Sequence, residues 1–124
     1  MAKKTKEKVD LLGTIELLVL NAVTRLDEAY GASVFESILE VYPPISVGSV
    51  YTTLERLTWK GYLTGEMGAP EPVRGGRARK YYQVTALGQK VLAATHDTID
   101  AARSIERPAR ALIGAPATPG ERRR

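Results

Sequence analysis

Five side chains between positions 46 and 56, Ser46, Ser49, Tyr51, Thr52 and Arg56, crowd hydroxyls around one guanidinium. Four more cations, Arg74, Arg77, Arg79 and Lys80, fall within one glycine- and proline-rich stretch that also holds Pro70, Pro72, Gly75 and Gly76. Hydroxyls and a planar guanidinium are hydrogen-bonding groups for anionic oxygens and for the edges of bases. Long cations on a loop can follow a phosphate backbone. Bond-breaking chemistry needs other groups. The chain has no cysteine and one histidine, His96, so thiolate nucleophiles, disulfides and His-rich metal clusters within the chain are excluded. No nucleophile–base pair, phosphate-cradling loop or metal-ligand spacing is present. Neither enzymatic activity, nor a cofactor, nor a metal is expected.

These residues must be positioned by a small scaffold. The chain has 124 residues, 44% apolar and 26% charged, which describes one globular domain with one core. The net charge of +4 is unevenly spread. Residues 1–9 carry four lysines against Glu7, net +3. Residues 10–66 carry three cations against eight acids, net −5. Residues 67–82 return to +3, as do residues 83–124. The acidic body thus has basic ends and one basic loop, a pattern that suits a polyanion or simply solvates the chain. Apolar runs such as Leu17 to Leu20 are far shorter than the roughly 20 residues of a membrane span. Glu16 and Asn21 interrupt any resemblance to a secretory leader behind Lys3, Lys4, Lys6 and Lys8. A cytoplasmic location without membrane contact is expected.

Hydrophobic spacing predicts the elements. Leu12, Ile15, Val19, Ala22, Val23 and Leu26 predict a helix over 11–28 with Asp10 as N-cap. Leu17 and Leu20 lie off that stripe, the mark of a helix buried on two sides or meeting a partner chain. Val34, Phe35, Ile38, Leu39 and Tyr42 predict a second helix over about 32–42, stopped by Pro43-Pro44. Ser46 caps a third helix, about 47–60, with Val47, Val50, Leu54 and Leu57 inward and Gly61 at its C-terminus. Its opposite face holds Ser49, Thr52, Arg56 and Trp59. Trp59 is expected to pack beneath a following hairpin or against a partner's first helix. Two β-rich runs, 62–66 and 80–85, predict that hairpin, with the basic loop at its tip. Tyr81 and Tyr82 should face opposite sides of its strand.

Thr85 caps a last long helix whose stripe includes Leu87, Val91, Thr98 and Ile105, with Ala94, Ala102 and Ala109. Val91, Thr98, Ile105 and Leu112 recur every seven residues, a heptad-like signal. The small core cannot cover so long a helix, so a second copy should cover it. Leu17, Leu20, Val91, Thr98, Ala102 and Ile105 are the expected dimer contacts. Pro108 should end or kink the helix, and His96 is expected at the surface or an interface.

The fold class is therefore mainly α (α+β). It is a winged helix-turn-helix with a two-stranded wing and a long C-terminal dimerisation helix. Its parts are a disordered basic arm (1–9), the DNA-binding domain (10–84), the dimerisation helix (85–113) and a disordered basic tail (114–124). A major groove admits one helix whose outer face is polar, small or basic. The sites expected on DNA are Ser46, Ser49, Tyr51, Thr52, Arg56, Arg74, Arg77, Arg79 and Lys80. The alternative is a winged helix that binds another protein, which the acidic body would favour.

The run Ser46-Val-Gly-Ser-Val-Tyr-Thr-Thr-Leu-Glu-Arg-Leu, with Gly61-Tyr-Leu, resembles the recognition helix of the PadR-like transcriptional regulators. The run Gly76-Arg-Ala-Arg-Lys-Tyr-Tyr-Gln-Val-Thr-Ala-Leu-Gly88 resembles that family's wing strand and the start of its last helix. Together they span most of residues 11–95. The resemblance implies a homodimer on operator DNA, usually a repressor, joined in part through the last helix. A small-molecule effector is possible, its identity unknown. Tyr30-Gly31-Ala32 stands where relatives often have a His-Gly-Tyr-like turn, and Thr52 where they often have proline. The last helix also lacks the tryptophan between which some relatives hold flat aromatic drugs.

Overall fold

The computed structural model describes residues 10–68 and 79–105. In chain order these form α1 (Thr14–Arg25), α2 (Gly31–Leu39), α3 (Val47–Trp59), β1 (Leu63–Met67), β2 (Lys80–Val84) and α4 (Ala86–Ser104). Three helices, an antiparallel hairpin and a long final helix make the winged helix-turn-helix that the sequence leads one to expect.

Several boundaries move, each for a local reason. Asp10 is not the cap of α1. The helix begins after Gly13, whose N–H donates to Glu16 Oε1 at 3.0 Å. The chain before it is tied to α4, where Leu12 N–H donates to Thr95 Oγ1 at 3.1 Å. α1 stops at Arg25 because the next residues serve the sheet: Tyr82 N–H donates to the carbonyl of Ala29 at 2.8 Å, and Tyr30 forms a bridge with Tyr81. α2 ends at Leu39, short of Tyr42, in a turn closed on the Ile38 carbonyl ahead of Pro43. Val34 and Ile38 are buried, whereas Leu39 and Tyr42, expected inward, are exposed.

α3 keeps its predicted caps. Ser46 Oγ accepts from Ser49 N–H at 3.2 Å, satisfying one orphan donor of the first turn. At the other end Gly61 adopts φ +85°, and the Gly61 and Tyr62 amides donate to the carbonyls of Thr58 and Leu57. That is the Schellman arrangement, which needs the left-handed residue glycine tolerates. Val50, Thr53, Leu54 and Leu57 face the core, while Val47, expected there, is exposed. The wing pairs Leu63 with Val84 and Met67 with Lys80. Its tip, with Arg74 and Arg77, lies outside the described residues, as do the arm at 1–9, Pro108, Ala109, Leu112 and the tail at 114–124.

Thr85 ties the elements together. Its hydroxyl donates to the Gly61 carbonyl at 2.7 Å and accepts from Gly88 N–H at 3.0 Å, so one side chain caps α4 and pins the end of α3. The core centres on Val19, Leu20, Val34, Ile38, Val50, Leu54, Leu57, Leu63 and Val91. Only the first half of α4 contributes, through Gly88, Val91 and Thr95. From His96 to Ile105 every residue is exposed.

Candidate nucleic-acid interface

Helix α3 has two unlike faces. A residue advances the helix by about 100°, so positions four and seven apart share a face. Val50, Leu54 and Leu57 are sealed in the core. Gly48, Thr52, Glu55, Arg56 and Trp59 occupy the opposite side and are exposed. Ser46 and Ser49 sit at the first turn, Ser46 committed to the cap and Ser49 half-buried. The capped turn leaves further backbone N–H groups of an uncompensated helix start facing outward.

Tyr51 is placed by a glycine. It is 48% exposed, and a Cβ at Gly31 would overlap its ring and hydroxyl. The ring therefore lies across the start of α2, half packed and half presented.

The root of the wing is built on aromatic faces. The Arg79 guanidinium stacks on the Tyr30 ring at 4.3 Å from its centroid, and Tyr30 meets Tyr81 edge to face at 5.6 Å. Lys80 Nζ sits 5.8 Å from the Tyr82 ring centroid. Tyr82 is buried and Tyr81 half-buried, the alternation expected of a strand. Burial raises the Tyr82 hydroxyl pKa above its ordinary value, and the charges of Glu55 and Tyr51 add to the shift.

Of the two packings expected for Trp59, the one beneath the wing is not seen among the described residues, where Trp59 is 86% exposed. Its neighbour Lys60 turns away to α1, where Nζ pairs with Glu16 Oε2 at 3.0 Å. Burial alone would raise the Glu16 pKa, but the Gly13 N–H and the Lys60 ammonium, with Arg56 more distant, outweigh it and hold it below its usual value. His96 Nε2 lies 3.2 Å from Asn21 Oδ1, a surface link between α4 and α1.

The residues expected at a dimer contact divide. Leu20 and Val91 are 0% and 2% exposed within one chain, so both are core residues with no surface left for a partner. Leu17 is half-buried, and Thr98, Ala102 and Ile105 are exposed on the projecting part of α4. The sequence pattern missed Thr95 as the true inward threonine. Its signal was its place one turn beyond Val91, against Leu12.

A cleft of about 670 Å³ opens between the end of α1, β2 and the start of α4. It is lined by Asp27, Glu28, Tyr82 and Gln83 among others, with no Lys or Arg, so it repels rather than attracts phosphate. Among the described residues no group of His, Asp and Glu could hold a metal ion, and no helix is long and apolar enough to cross a membrane.

The model of the transcriptional regulator PadR-like family matches residues 19–94. The chain belongs to that family. Solved structures agree on the fold. A PadR family transcription regulator from Clostridium difficile aligns with a TM-score of 0.65 at 20% identity, over 82% of this chain and 100% of its own. A PadR-like transcriptional regulator from Bacillus cereus gives 0.63 at 21% identity, over 82% and 93%. A PadR family regulator from Eggerthella lenta gives 0.63 at 25% identity, over 83% and 84%. A comparison with curated proteins finds no match.

Proposed function

We propose that this regulator binds operator DNA as a homodimer and represses transcription there. The observation that carries the reading is the exposed face of α3, where Thr52 and Arg56 stand beside Glu55, opposite a face sealed in the core. Thr52 and Arg56 would reach base edges, and Ser46 and Ser49 would bring the first turn to a phosphate. Tyr51, held over Gly31, would place its hydroxyl on the backbone. Arg79 and Lys80 at the wing root, with Arg74 and Arg77 of the tip, would follow the neighbouring phosphates or minor groove.

Dimerisation is assigned to the projecting part of α4, with Thr98, Ala102 and Ile105, and to Leu17 on α1. Two recognition helices would then read half-sites about 34 Å apart or a multiple of it. An effector that changed the angle between the two α4 helices would break that spacing.

Fluorescence anisotropy tests the reading. Labelled DNA from upstream of the coding region is titrated beside random DNA of equal length, at two salt concentrations. Tight, salt-sensitive binding that prefers the upstream fragment is expected. No binding at low salt would overturn the reading in favour of a protein-binding winged helix.

A further inference from the structure

We propose that Trp59 is a DNA contact, its indole packing on the sugars and base edges at the far end of the groove that α3 enters. The proposal rests on the DNA-binding reading and adds a residue to it.

The first ground is exposure without an internal reason. Trp59 is 86% exposed, the most exposed of the large apolar side chains described. Among the described residues it has no ring or cation contact. Tryptophan is usually well buried, so an indole left in water points to something outside the chain.

The second ground is position. Trp59 follows Glu55 by four residues, Thr52 by seven and Gly48 by eleven, spacings that keep all four on one face of α3. Gly48 marks the other end of that face. A Cβ there would meet nothing within 4 Å, and its φ is not positive, so nothing among the described residues requires glycine. Glycine inside a helix is unfavourable, and the remaining reason for it is an approaching partner. The same face thus carries no side chain at its start and the largest one about 16 Å further along the axis. That profile fits a helix entering a groove N-terminus first, close at Gly48 and braced at Trp59.

The third ground separates DNA from a second copy of the chain. The end of α3 is pinned to the start of α4 through Thr85. The exposed Ile99 and Ile105 lie roughly 20 and 28 Å further along α4. Trp59 is therefore remote from the α4 part of the surface that would hold the partner, and only the α1 side, reached through the Lys60–Glu16 pair, lies near it. Arg56, one turn back on α3, supplies the charge that a phosphate-lined wall attracts.

The chain holds a single tryptophan, so its emission reports on this position alone. Emission and the anisotropy of labelled upstream DNA are followed in one titration. Both should change together, the emission quenched and blue-shifted. Trp59→Ala should weaken binding roughly tenfold, and Trp59→Phe only about threefold, because ring area does most of the packing. Thermal midpoints should match wild type, since the side chain supports no core. Wild-type anisotropy that rises while emission stays constant overturns the proposal and leaves DNA binding intact. So does undiminished binding by Trp59→Ala. Emission that instead changes when DNA-free protein is diluted assigns Trp59 to a second copy. Anisotropy that never rises removes the DNA-binding reading and the proposal with it.

Discussion

The outer face of α3 and the projecting half of α4 are both helix surfaces left uncovered by the core, yet their chemistry differs. α3 shows Thr52, Arg56 and hydroxyls around a bare Gly48. The far part of α4 shows Ile99 and Ile105 with Ala101 and Ala102, and carries Asp97 and Asp100 against Arg103. A polyanion suits the first and is repelled by the acids of the second. Apolar residues on a solvated helix suit another protein surface. Exposure alone therefore does not define a site. The composition of the exposed face decides which partner can cover it.

The sharpest way to break this contrast is to charge the α4 surface. Replacing Ile99 and Ile105 together by Asp should leave the fold intact, since both side chains are already exposed. Sedimentation should show dimer giving way to monomer. Operator affinity should fall by about a hundredfold or more, because the second half-site is no longer delivered at high effective concentration. Retained dimer with wild-type affinity would move the partner surface elsewhere, toward Leu11 and Leu17 on the α1 side.

On α3 the matching change is smaller. Arg56→Ala should cost roughly 1–3 kcal/mol on the operator if the guanidinium reads a base. Measured beside random DNA, an equal loss on both would make Arg56 a phosphate contact. The sedimentation profile should be unchanged, which separates this face from that of α4.

Element order was legible in the sequence because it rests on strong local signals. Ser46 and Thr85 as caps, Pro43-Pro44 as a stop and Gly61 as a left-handed end are chemistry that neighbours rarely override. The outward set of α3 was legible too, because Val50, Leu54 and Leu57 fix its inward side. What failed was decided by distant contacts. Leu20 and Val91 read as partner residues because periodicity shows that a side is apolar, not what covers it. Thr95 was missed because the heptad-like spacing is blind to Leu12, whose backbone reaches Thr95 from 83 positions away. Packing of Trp59 beneath the wing was expected because most tryptophans are buried, and the indole is instead left exposed by its own chain.

Gly31→Ala probes how one face is assembled. The added methyl would overlap the Tyr51 ring, which is half exposed and free to swing outward. Overpacking costs about 1–3 kcal/mol where nothing can move. Here the ring can move, so chemical denaturation should show a loss below about 1 kcal/mol. The Tyr51 hydroxyl would leave its place, and DNA affinity should drop roughly threefold to tenfold, one neutral hydrogen bond. Tyr51→Phe should match that loss without the stability change. A large stability loss with unchanged DNA affinity would make Tyr51 a packing residue only.

The smallest effect concerns the pair that holds Lys60 away from the groove face. Glu16 has a depressed pKa in the folded chain, below its ordinary value near 4.5. Between the folded and unfolded values the unfolded chain binds more protons, so stability rises with pH there. The contribution is complete above about pH 4.5 and fades as pH falls through the folded value. Lys60 is one-third exposed, so solvent screens the pair, and Glu16→Gln should cost less than about 1 kcal/mol at neutral pH. The gap between variant and wild type should narrow below about pH 4.5. DNA affinity should hold or rise slightly, because Lys60 is released beside Arg56 and one nearby negative charge is gone. A fall in affinity at constant stability would show instead that the Glu16–Lys60 pair holds the end of α3 in its DNA-bound orientation.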